Sequence, residues 1–148
     1  MTDEHRTLRC CALLYALGLA LHIADHVRRG LDVLTPEVRW AGNLSTALGI
    51  AVVVLVIVGN RYGPLLAALT GIPVAVGVAA THLLPHWSAF SDAFPGAHGT
   101  GVTALSWTVV LVEIVGALAM GVSGIVGVRR EHGAHALVST DSARSVSR

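Results

Sequence analysis

Lysine is missing from this chain of 148 residues, so all of its fixed positive charge rests on ten arginines, against nine Asp and Glu, for a formal net charge of +1. The arginines are scattered rather than clustered, which leaves no electrostatic footprint for nucleic acid, and no nucleic-acid partner is expected. Charged residues make up only 13% of the sequence and aromatics only 5%. A chain so poor in charge cannot clothe an ordinary water-soluble domain of this length. Cysteine is almost absent. Cys10 and Cys11 are neighbours, a poor geometry for pairing with each other, and there is no Cys-x-x-Cys, so neither a disulfide framework nor a thiolate metal site is expected. At the edge of an apolar segment the two thiols suit an inert buried role or acylation. There is no His-Glu-x-x-His, and Ser45 and Ser106 have no activating partner in the sequence. Whether the chain is an enzyme is left open, and no catalytic residue is assigned.

What the sequence has instead is apolar length. Hydrophobic residues reach 53% and the mean hydropathy is +0.68. Four segments, at about 8–27, 40–59, 64–84 and 102–128, are long enough, or nearly so, to cross a hydrocarbon core of roughly 30 Å at about 1.5 Å per helical residue. In lipid the backbone must satisfy its own hydrogen bonds, so spans of this kind are helices. The expectation is an all-α integral membrane protein, a four-helix up-down bundle over residues 1–128, with a Ser- and Arg-rich disordered cytoplasmic tail over 129–148. Its first partner is the lipid bilayer, and a homo-oligomer or a larger membrane complex would suit so small a bundle. Arg6 and Arg9 ahead of an apolar stretch also resemble a signal peptide. Against that, the small residues at 18–20 run straight on into further apolar sequence and His22.

Orientation follows from the arginines. Arg6, Arg9, Arg61, Arg129, Arg130, Arg144 and Arg148 fall on the side shared by the termini and the second loop, and only Arg28, Arg29 and Arg39 on the other. Both termini are therefore expected in the cytoplasm of a cell-membrane protein. Small residues at four-residue spacing, Ala12, Ala16, Ala20 and Ala24 in the first segment and Ala67, Gly71, Ala75 and Ala79 in the third, suggest a packed seam between those two helices.

Histidine carries the chemistry. Ala20-Leu21-His22-Ile23-Ala24-Asp25-His26 and Ala80-Thr81-His82-Leu83-Leu84-Pro85-His86 repeat one short pattern near the ends of the first and third segments. Superposing them brings Leu44-Ser45 over Leu105-Ser106, which reads as a possible tandem repeat of two helical hairpins. In that arrangement the first and third helices run parallel, with their histidines at one depth. His22 and His26, four apart, share a helix face at a spacing that can chelate one cation. Asp25 can add a third ligand or hold an imidazole in one tautomer. In the second copy Pro85 disfavours helix at Leu84, so His82 is the better-placed ligand and His86 would approach from the loop. The loop from Ser88 to Gly101 contains Asp92 and His98 but no basic residue, and reads as a lid or a further source of ligands.

Glu113 is an acid inside the fourth apolar segment. Left ionised and unpaired in lipid it would be prohibitively costly, so it should face the bundle as a proton path or an additional ligand, about 5 to 10 Å below the histidines at about 1.5 Å per residue. A structural hydrogen bond to Asn43, Ser45 or Thr46 is the plainer alternative. The leading function is a site for a divalent transition metal (zinc, copper or iron) or haem b at the outer face, built from His22, His26, His82, His86 and Asp25, with Glu113, Asp92 and His98 in reserve. The alternatives are a structural or assembly subunit of a membrane complex, and proton or cation transport through Glu113.

Overall fold

The computed structural model describes residues 3–146, with the side chains of Glu4 and of 131–146 outside the description. Four helices follow one another, α1 (Asp3–Arg29), α2 (Pro36–Ile57), α3 (Gly63–His82) and α4 (Ala104–Val146), with a single 3-10 turn at Leu31–Val33 between the first two. Each carries a stretch long and apolar enough to cross a membrane, His5–Arg29, Pro36–Ile57, Gly63–His82 and Ala104–Arg130. Regular structure among the described residues is entirely helical. The tail expectation over 129–148 bears on residues whose side chains are mostly outside the description, although the backbone assignment of α4 continues to Val146.

Local chemistry sets the helix ends. α1 stops at Gly30, whose φ of 93° is open to glycine and strained for other residues. Thr35 then caps α2 by accepting a hydrogen bond from the Val38 N–H at 3.2 Å, with Pro36 at the first helical position, where its missing N–H costs nothing. α2 closes at Gly59, where φ is 73° and the Asn60 N–H reaches back to the Leu55 carbonyl at 2.9 Å, a left-handed helix stop. α3 ends at His82, three residues before Pro85, slightly earlier than the sequence pattern suggested.

α4 is the shared partner. It packs extensively along both α1 and α3, whereas α2 touches α1 and α3 only sparsely. Glycine makes the close approaches possible. A Cβ added to Gly18 would lie 2.6 Å from the Glu113 Cα, and one on Gly116 would lie 2.7 Å from the Tyr15 backbone nitrogen. On the other flank, a Cβ on Gly71 would lie 2.5 Å from the Ala117 carbonyl oxygen and one on Gly121 2.8 Å from the Ile72 side chain. The expected seam between α1 and α3 is therefore corrected: each lays its small residues on α4 instead. On α1, Ala12 is buried but Ala20 and Ala24 are exposed. A four-residue stripe turns about 40° per step on a helix of 3.6 residues per turn, so it leaves the packed face within three steps. The buried residues Leu8, Ala12, Tyr15, Leu19 and His22 alternate steps of four and three, and so stay on that face.

Tandem hairpins would make α2 and α4 equivalent. Their packing is not, since α4 lies at the centre of the bundle and α2 at its margin. The interior away from the histidines is apolar: Tyr15, Ala67, Ala75, Ala117 and Met120 form a buried cluster between the helices.

Candidate metal centre

The buried stripe of α1 changes character at its last two turns, from Leu19 to His22, Asp25, His26 and Arg29. The end of α3 brings His82 beside it. His22, His26 and His82 can each offer one ligand atom, and these atoms lie within 4.8 Å of one another. The ring centroids are 4.5 Å apart for His22 and His26, 4.7 Å for His22 and His82, and 5.6 Å for His26 and His82. His22 and His82 are buried and His26 is nearly so. Three imidazoles in one small volume, from two helices, occupy the end of the bundle where α1 and α3 finish and α4 begins.

Two of the rings are held from behind. Nδ1 of His22 contacts Oε2 of Glu113, and both residues are buried. Nδ1 of His82 lies 3.1 Å from the backbone carbonyl of Asp92 and 3.4 Å from its carboxylate. In each case Nδ1 is engaged and Nε2 is the nitrogen left for another partner. Nε2 of His22 is buried without a hydrogen-bond partner, as is Nδ1 of His26. Such atoms are costly to bury unsatisfied, and they point to a group that completes them.

The loop over 83–103 closes this end. Asp92 and Phe94 pair their N–H groups with the carbonyls of Thr81 and His82 at 3.0 and 2.9 Å, extending the end of α3. The Phe94 ring rests against His82, 4.8 Å between centroids. Arg29, fully buried, grips the Asp92 carboxylate with two N–H groups at 2.7 Å each and donates from Nε to the Thr100 carbonyl at 3.1 Å. Burial alone would push the Asp92 carboxyl up, but the hydrogen bonds from His82 and Arg29 and the guanidinium charge outweigh it and hold it well below the usual carboxylate range. Arg28 binds Asp25 at 2.8 Å and reaches the Gly101 carbonyl and the Ser106 hydroxyl.

The structure thus gathers His22, His26 and His82, with Glu113 and Asp92 behind two of the rings. Asp25 is buried beside Arg28 and keeps one carboxylate oxygen without a partner. His86 and His98 are exposed on the loop, outside the group. Glu113 meets His22 directly, not from a layer beneath it and not by bonding α2, where Ser45 donates to the Gly42 carbonyl of its own helix. Sequence reasoning missed the loop-clamping role of Arg28 and Arg29. The signal was available: two adjacent arginines follow the histidines, and the facing loop contains an aspartate and no basic residue.

A cavity of about 850 Å³ opens beside the cluster, between α1, α2 and α3, with the three histidines and Glu113 in its wall. Comparison of the chain with protein-family models, with curated proteins and with solved structures finds no match.

Proposed function

We propose that this chain is a multi-pass membrane protein that binds one divalent transition-metal ion through His22, His26 and His82. One observation carries the reading: three ligand atoms from two helices converge within 4.8 Å. Two of the rings also have their Nδ1 atoms engaged by Glu113 and by Asp92, as metal-binding histidines usually do. Coordination would place each nitrogen about 2.0–2.1 Å from the ion, drawing together atoms that already lie within 4.8 Å of one another. Three protein ligands with a vacant fourth position is the arrangement of sites that do chemistry or exchange their metal, as opposed to closed structural sites. Imidazole donors without sulfur suit zinc, copper(II) or iron.

The ring packing favours a bare ion over haem b. A porphyrin between His22 and His82 would need their rings to face each other across its plane, whereas they meet edge to face at 4.7 Å with His26 alongside. Transport through Glu113 has less support, because Tyr15, Ala117 and Met120 pack the interior and the Tyr15 hydroxyl there has no hydrogen-bond partner to continue a path. A purely structural or assembly role leaves the unpartnered imidazole nitrogens without a reason. The arginine distribution supports cytoplasmic termini and a metal centre at the outer face of the cell membrane.

The test is elemental analysis and cobalt titration of the full chain purified in mild detergent. One ion per chain, lost when His22 and His82 are both changed to Ala, is the expected result. A Soret band would replace the ion by haem. Protein that takes up no metal, and whose double variant behaves identically, would end the reading.

A further inference from the structure

Among the described residues, two glycines inside helices have neither a packing nor a backbone reason to be glycine. Gly18, Gly71, Gly116 and Gly121 stand where a Cβ would strike a neighbouring helix, but a Cβ on Gly42 or on Gly77 would meet nothing within 4 Å. Both lie inside helices, where glycine is about 0.5–1 kcal/mol worse than alanine. Both line the cavity of about 850 Å³, Gly42 from α2 and Gly77 from α3. The space beside both positions is open, so a larger side chain there could narrow the cavity they line.

We propose that this cavity seats a single-chain amphiphile from the bilayer, with its carboxylate head group at the histidines and its tail between α2 and α3. The volume lies within the range of about 300–1,000 Å³ of sites for small organic ligands. The wall is apolar where α3 supplies Pro73, Val74 and Val78, α2 adds the neutral polar side chains of Asn43, Ser45 and Thr46, and the ionisable groups are His22, His26, His82, Glu113 and Arg39. That division fits a molecule with one polar end and one apolar end. Glu113 is occupied with His22, so a carboxylate head would meet imidazoles and a guanidinium, and, on the metal reading, the vacant coordination position. Nε2 of His22, on a cavity-lining side chain more than nine-tenths buried, has no partner; without a metal it would accept from the protonated carboxyl of such a head, and with one it is the metal's ligand and the ionised head binds the ion. Entry is sideways, since the lining segments of α2 and α3 lie inside spans apolar enough to cross the membrane, and α2 is only loosely packed. This deepens the metal reading by naming what its vacant position faces.

The experiment places the full chain in lipid nanodiscs with a diazirine-bearing palmitic acid, or with its methyl ester, and maps the crosslinks by mass spectrometry. Expected is labelling concentrated at the lining residues Asn43, Ser45, Thr46, Val74 and Val78, dependent on the free acid, and reduced roughly tenfold, about 1.4 kcal/mol, by Gly77→Leu or, independently, by Gly42→Leu. Labelling spread evenly over lipid-facing residues such as Leu48, Leu69 and Val76 would overturn the proposal. So would equal labelling by the ester, or labelling that both leucine variants leave unchanged. Cobalt is titrated into the same samples. Head-dependent cavity labelling without cobalt binding would remove the metal and keep the amphiphile; cobalt binding without such labelling would do the reverse.

Discussion

Glu113 of α4 and His22 of α1 contact each other through a buried carboxyl group and imidazole, one turn of α1 beyond Gly18, whose missing Cβ lets the two backbones meet at Glu113. The pairing meets both needs at once: the acid gains a donor in a dry interior, and the ring is fixed with one nitrogen committed. Changing Glu113 to Gln, which keeps the size and a hydrogen-bonding group but removes the carboxyl, should weaken cobalt or zinc binding about 10- to 100-fold while the protein stays folded. Competition titration against a chelator of known affinity measures this, and undiminished affinity would refute the assignment.

Asp92 and Arg29 form a charged pair whose guanidinium is fully buried. Changing Asp92 to Ala leaves a buried guanidinium without its counter-charge and should cost about 3–5 kcal/mol, seen as an early unfolding transition of the detergent-solubilised protein. Arg29→Met with Asp92→Asn should recover much of that loss, because the uncompensated charge is gone.

The same pair sets a pH dependence. The Asp92 carboxyl is held below its ordinary value of 3.8, so the folded state binds that proton less readily than the unfolded chain. Its contribution to stability is complete above that value and is lost as the pH falls below it. Thermal midpoints measured between about pH 6 and 3 should drop at the acid end, and Asp92→Asn should flatten the drop. A profile identical in the two proteins would show that the carboxylate does not contribute.

Glycines that look alike in sequence should respond in opposite ways. Gly116→Leu forces a side chain into the Tyr15 backbone and should destabilise by about 1–3 kcal/mol or more. Gly77→Ala enters open space and should be neutral or stabilising by about 0.5–1 kcal/mol. Unfolding measurements on the two variants side by side decide the matter.

Among the histidines, His26→Ala should lower metal stoichiometry or affinity, whereas His86→Ala and His98→Ala should leave both unchanged, since those two side chains stand exposed outside the cluster. Loss of metal on removing His86 would mean that the loop folds back over the site.

The spans and their alternation were legible because hydropathy and length decide them, and the meeting of His22, His26 and His82 followed once α1 and α3 were taken as parallel. Pro85 correctly announced that His86 leaves the helix. Three features were not legible. The choice of α4 as the common partner depends on glycines whose role appears only when two backbones meet, as at Gly18 and Gly116. The contact of Glu113 with His22 depends on the relative height of two helices, which residue counting fixes only to within a turn. The clamps of Arg28 and Arg29 arise from a loop fold that no periodicity encodes.

Because α4 is the surface on which both α1 and α3 pack, the order of synthesis bears on assembly. The ribosome delivers this span after the other three, so the earlier ones wait in the bilayer without their main partner. Neither the acid behind His22 nor the packed interior exists until α4 is in place. A nascent chain interrupted before residue 104 would therefore present His22, His26 and His82 without Glu113 and without the surface on which α1 and α3 pack.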